Sequence, residues 1–245
     1  MMVPFLALAQ SETEIDSLIV RGKQQLRYAA LAKFKEQDLM LARAHFERLS
    51  SNESYAWLIR YYIALADYRL VSFYFSKQNK EAAKKYIEDG IEQLEACIEE
   101  REDFVEAYSL LSSFYGNKIG INPLLGITLG PKSGSTMAKA MSLEPHNPRN
   151  HLIAGWSAYF TPKMFGGGKD KAKRYFRQAI ACFDSTKAAT ATLPDWGHDE
   201  ACAWLGLLYM KQSVPDSARI NFNRALEINP DNNWVKFDLL PKLNK

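Results

Sequence analysis

The sequence predicts an all-α chain, a curved solenoid of about five helix pairs with a helix capping its C-terminal end. Three observations lead there. Beyond Glu12, apolar residues recur three and four apart over long stretches, and strict apolar alternation is absent. Prolines and asparagines stand where one such stretch ends and the next begins. A small residue four positions before an aromatic one recurs along the chain, as in Ala218-x-x-x-Phe222.

The first helix is expected over 12–31, with Leu18 to Leu26 in its apolar stripe, and its partner over 36–50, carrying Ala42-x-x-x-Phe46. The second pair is 53–76, with Tyr61 to Tyr68, and 79–101, with Ala82-x-x-x-Tyr86; Asn79 is placed to cap the latter. The third pair is 103–117, carrying Tyr108, Leu111, Ser112 and Tyr115, and 135–143, carrying Met137 and Ala140. Between these two lies a glycine-rich, aliphatic stretch, 116–134, expected as a long loop. Asn147-Pro148 opens 148–160, whose partner 168–187 carries Ala172-x-x-x-Phe176-x-x-Ala179. The fifth pair is 196–211 and 215–228, the second opened by Val214-Pro215. Asn229-Pro230-Asp231 then starts 231–241, where Trp234, Phe237 and Leu240 oppose Asp231, Lys236 and Asp238, the amphipathic pattern of a cap. A single domain over 10–245 follows.

Leu205-Gly206-x-x-Tyr209 followed by Ala218-x-x-x-Phe222, Ala225 and Pro230 resembles one tetratricopeptide repeat, departing only at Cys202, where the pattern wants a bulky residue. Gly206 and Ala218 are small where two antiparallel helices approach, and Leu205, Tyr209 and Phe222 fill the space between them. The resemblance implies a right-handed superhelix that takes ligands on its concave face, lined by the first helix of each pair. The turn Pro162-x-x-Phe165-Gly166-Gly167 is similar to one in bacterial tetratricopeptide proteins, including the periplasmic T-component of TRAP transporters. That likeness implies a soluble periplasmic helper with a ligand-sized cavity.

With 245 residues, 47% hydrophobic and 24% charged, the chain has the composition of a folded globular protein and not of a disordered one. Its net charge of +3 is too mild to argue for nucleic acid or a membrane surface. No segment approaches 18 uninterrupted apolar residues, so stable membrane insertion is not expected. Residues 1–9 read as the tail of a signal peptide ending in Ala-x-Ala, which points to a periplasmic or secreted protein and otherwise to a cytoplasmic one. Cys97, Cys182 and Cys202 lack metal-ligand spacing and read as small buried hydrophobes, with one disulfide left open.

Catalytic apparatus is not visible: there is no Gly-x-Ser-x-Gly elbow and no His-x-x-x-His pair, and His146 and His151 flank Pro148 without a third ligand. Gly126 to Ser133 departs from a phosphate-binding loop, because the glycines are too close and Pro131 precedes the lysine. No catalytic residue, metal or cofactor is expected. Instead, helical spacing places Tyr62, Arg69, Ser109, Ser113, Asn117, Arg149, Trp156, Tyr159 and Lys211 along the inner rows of successive first helices. This mixture of aromatic, cationic and hydrogen-bonding groups suits an extended protein or peptide segment. The expected function is therefore a non-enzymatic scaffold, with Arg149→Glu or Trp156→Ala weakening binding while the fold survives. The alternative is a periplasmic accessory holding a small apolar ligand beneath a 116–134 flap.

Overall fold

Five helix pairs follow one another along the chain in the computed structural model, which describes residues 4–186 and 189–243, with side chains from Thr13 onward. They are α1 Pro4–Tyr28 with α2 Glu36–Glu47, α3 Ala56–Ser76 with α4 Lys80–Glu100, α5 Val105–Ile121 with α6 Gly126–Leu143, α7 Pro148–Phe160 with α8 Lys169–Ser185, and α9 His198–Lys211 with α10 Pro215–Ile228. A π-helical turn, Trp234–Leu239, runs into α11 Leu240–Lys242 and closes the C-terminal end. Among the described residues there is no strand. The expected leader remnant at 1–9 lies outside the described side chains, and residues 1–3 lie outside the description altogether.

Asparagines start the helical turns as the sequence suggests. The Asn79 side chain accepts from the Ala82 amide at 3.0 Å and that of Asn147 from the Arg149 amide at 3.0 Å, each satisfying an amide that the first helical turn leaves free. The reversals between paired helices need one left-handed residue, supplied by Phe34, Gln78, Gly166 and Ser213 in the first, second, fourth and fifth pairs.

Packing within pairs follows the small-against-aromatic rule. A Cβ on Gly22 would stand 2.7 Å from the Phe46 ring, one on Gly155 2.5 Å from Phe176, and one on Gly206 2.6 Å from Phe222. All three rings are fully buried, as are Ala42, Ala172 and Ala218. In α4 the expected Tyr86 is buried, while the fully buried small and large positions are Ala83 and Ile87, one residue beyond the expected pair Ala82 and Tyr86. Ala82 is only partly buried and Tyr86 turns toward Tyr74, its ring stacked at 5.6 Å.

The largest correction concerns 116–134, which is not a loop. α5 continues to Ile121, Asn122 and Pro123 make a single tight turn, and α6 starts at Gly126 with Pro131 inside it. Two hydrogen bonds staple the helices, from Ser112 Oγ to the Ser133 carbonyl at 3.0 Å and from Ser133 Oγ to the Ser112 carbonyl at 2.9 Å. Leu129 and Met137 pack against the core, which secures α6 in spite of its glycines. Leu124 and Ile127 are more than four-fifths exposed, so these apolar residues point outward and no flap covers a groove.

The superhelix curls until its ends meet. Asn233 donates to the Ala32 carbonyl at 2.6 Å, and Arg69 on α3 forms a bidentate pair with Glu200 on α9, at 2.5 and 2.7 Å. The inner face is thus a narrow channel and not an open trough.

Candidate functional site

The channel is filled along much of its length by the segment joining α8 to α9. Residues 189–197 cross to the far wall, and that wall holds them mainly by their main-chain carbonyls. Lys23 Nζ donates to the carbonyls of Ala191 and Leu193, each at 2.5 Å, and lies 3.4 Å from the Asp195 carboxylate. The Tyr62 hydroxyl donates to the Thr192 carbonyl at 2.6 Å, and Arg149 Nη1 to that of Trp196 at 3.3 Å.

Trp196 is the anchor of the segment. Its indole N–H donates to the Tyr61 hydroxyl at 2.9 Å, its ring stacks on Trp156 with centroids 6.1 Å apart, and the Arg69 guanidinium sits 5.2 Å from its ring centre. Gly197 follows with φ 105°, a left-handed turn that a side chain would strain and that starts α9. Burial pushes the Tyr61 and Tyr62 hydroxyls well above their ordinary pKa, so both stay protonated and act as fixed groups at neutral pH.

The nine expected site residues divide between a sealed and an open part of this channel. Tyr62, Arg69, Ser109, Arg149 and Trp156 are buried. Arg149 is bound through Nε to both carboxylate oxygens of Glu106, at 2.7 and 2.6 Å, and Ser109 hydrogen-bonds to Asn150. Both arginines are therefore committed to internal partners, and removing either would leave a buried carboxylate without its counter-charge. Arg149→Glu is expected to unfold the chain, contrary to the reading from sequence.

Ser113, Asn117 and Tyr159 are half-buried and Lys211 is exposed. Ser113 lies beside Tyr68, whose ring stacks on Trp156 at 5.7 Å. Trp204 lies edge-on to Tyr159 at 5.1 Å and to Phe160 at 5.7 Å, and Lys211 Nζ is 5.6 Å from the Tyr159 ring centre. Phe160 is 71% exposed, which makes this aromatic group the open lip of the channel. Asn117 stands one helical turn beyond Ser113 on α5. Trp204 and Phe160 complete the lip, and the inner row of α7 and α9 is the pattern from which both can be found.

The opposite mouth, at the amino ends of α3, α5, α7 and α9, opens into a cavity of about 840 Å³. Trp57, Phe104 and Phe183 line it, together with Arg27, Arg101, His146 and His198. His198 stacks on Phe183 at 5.0 Å and approaches Asp184 at 3.3 Å, and burial lowers its pKa. Among the described residues no three His, Cys, Asp or Glu side chains come together to hold a metal, and no helix is long and apolar enough to cross a membrane.

A tetratricopeptide-repeat family model matches residues 68–93 and 199–232. Among solved structures, the HusA haemophore from Porphyromonas gingivalis is similar, with 24% identity and a TM-score of 0.66 over 80% of this chain and 92% of that one. A thermophilic tetratricopeptide-repeat protein from Thermus thermophilus is similar over 94% of this chain and all of its own, at 18% identity and a TM-score of 0.64. No curated protein matches the sequence. At these identities the structural likeness speaks to fold.

Proposed function

We propose that this tetratricopeptide-repeat protein is an interaction scaffold that takes an extended segment of a protein partner on the inner face of its superhelix. The observation that carries the reading is the chain's own segment 189–197 in that channel, held by Lys23, Tyr62 and Arg149 through main-chain carbonyls, which any extended polypeptide offers. The lip formed by Tyr159, Phe160, Trp204 and Lys211 adds exposed aromatic surface beside a cation, the composition of an interface anchor. Photo-crosslinkers placed at Asn117 and Lys211, with one on the outer face at Lys139 as control, test the reading in the native host. Discrete protein adducts from the two inner positions and none from the control are expected. Adducts from all three, or from none, would contradict it.

A second reading is favoured by the cavity at the other mouth. Its volume of about 840 Å³ falls within the range of about 300–1,000 Å³ typical of small-molecule sites. Trp57, Phe104 and Phe183 offer flat apolar walls there, and His146 and His198 offer imidazoles. The similar HusA is a haemophore, and a haem-sized planar ligand is the occupant this reading assigns. Titration with hemin is expected to give a Soret shift that the double substitution His146→Ala, His198→Ala removes. A spectrum that is the same with or without both histidines would contradict it.

A further inference from the structure

We infer that segment 189–196 is a displaceable occupant of the channel, and that the channel's external partner is an extended segment of the same chemistry. That chemistry is an aromatic residue three positions after an aliphatic one with an acidic residue between, as in Leu193-Pro194-Asp195-Trp196. The inference rests on the scaffold reading and adds to it the identity of the ligand class and the means of regulation.

The contacts of the segment differ in kind from those of the solenoid around it. Helix pairs meet through interdigitated apolar side chains, whereas 189–196 puts only Leu193 and Trp196 against the core and is otherwise held by three side-chain donors on four carbonyls and one ion pair. None of those carbonyl contacts reads the identity of the residue it binds. The two that do are Lys23 on Asp195 and the slot around Trp196, formed by Trp156, Tyr61 and Arg69. The slot is built independently of the segment: Arg69 is fixed by Glu200, and Trp156 by its stack on Tyr68. The Trp156 indole N–H is buried and makes no hydrogen bond, an unused donor beside the slot. The segment carries no helix of its own, so its departure breaks no helical ladder. Both ends of the channel remain reachable, through the Phe160 lip and the cavity opposite, and Leu193, Pro194 and Asp195 themselves line that cavity.

Replacing Ala189 to Trp196 in the full chain by a Gly/Ser stretch of equal length empties the channel, and a synthetic peptide spanning Thr186 to His198 is the probe. The exchanged chain is expected to bind the peptide, and the peptide carrying Trp196→Ala is expected to bind at least about tenfold more weakly. The unaltered chain is expected to bind the same peptide about 100-fold more weakly, if the emptied channel takes it at about 10 μM, because the tethered segment competes at an effective concentration of about 1 mM. Should the exchanged chain fail to fold alone, added peptide is expected to restore a cooperative thermal melt. A folded exchanged chain that ignores the peptide overturns the inference, as does an unfolded one that the peptide fails to rescue. Equal affinity in the exchanged and unaltered chains overturns displacement. Crosslinking at Asn117 and Lys211 tests the scaffold reading by a separate route, so failure of the peptide to bind is distinguishable from failure of that reading.

Discussion

Gly206→Ala should destabilise the protein although alanine is the better helix former. On an exposed helix this substitution gains up to about 1 kcal/mol. In α9 the added Cβ meets two Phe222 ring carbons at 2.6 Å and the Ala218 carbonyl at 3.2 Å. The ring is fully buried and the carbonyl belongs to the backbone of α10, so neither is free to yield. Overpacking of this kind costs about 1–3 kcal/mol, and about 2–4 °C of Tm accompanies each kcal/mol for a chain of this size. Gly116→Ala in α5 is the matched control, since a Cβ there meets nothing within 4 Å, and its Tm should hold or rise. Thermal melts of both variants and of Gly206→Ala with Phe222→Leu complete the set, the smaller side chain relieving part of the clash. A Tm for Gly206→Ala at or above the parent, or strict additivity in the double variant, would refute the packing argument.

Arg149→Met should cost about 3–5 kcal/mol by leaving the buried Glu106 carboxylate with no counter-charge and only the Asn147 amide as donor, and pairing it with Glu106→Leu should recover much of the loss; a denaturant melt showing full stability in the single variant would contradict this. Burial pushes the Asp67 carboxyl up from 3.8 to about 7 against the pull of Arg43, so between those values the folded state holds a proton that the unfolded state has released. Stability relative to Asp67→Asn should therefore fall as pH rises through that window, and a difference that stays constant across it would argue against the shift. Burial also pushes the Cys97 and Cys202 thiols up to about 12, so a thiol reagent should label half-buried Cys182 first in the native protein; simultaneous labelling of all three would contradict it. Phe160→Ser, at a ring 71% exposed, should leave the melt within about 0.5 kcal/mol of the parent, and a larger loss would place the ring in the core.

The helix pairs and their turns are legible in the sequence because each rests on a local rule. Asparagine caps, a proline in the first helical turn and a small residue four before an aromatic all act within a few residues of one another. The third pair is misread for the same reason: five glycines between Gly116 and Gly134 lower helix propensity, while what holds α6 is its packing on α5 through Ser112, Ser133, Leu129 and Met137. Helical spacing correctly sends Arg69 and Arg149 inward. It does not say that Glu200 and Glu106 meet them there, since those partners lie 131 and 43 residues away. The segment before α9 is legible only as a break between helices. Leu193, Pro194 and Trp196 are a heavy apolar load for an exposed loop, and that composition is the one local hint that the segment turns inward.

The central claim is that Trp196 occupies the inner channel, and the indole N–H region of a proton–nitrogen NMR spectrum tests it most directly. The five tryptophans give five indole signals, and Trp196→Phe assigns the one in question. The account predicts a Trp196 signal displaced by the ring current of Trp156, slow to exchange with water, and moved by Tyr61→Phe, which removes its acceptor. A Trp196 signal at the position of a solvent-exposed indole, exchanging fast and indifferent to Tyr61→Phe, would contradict it.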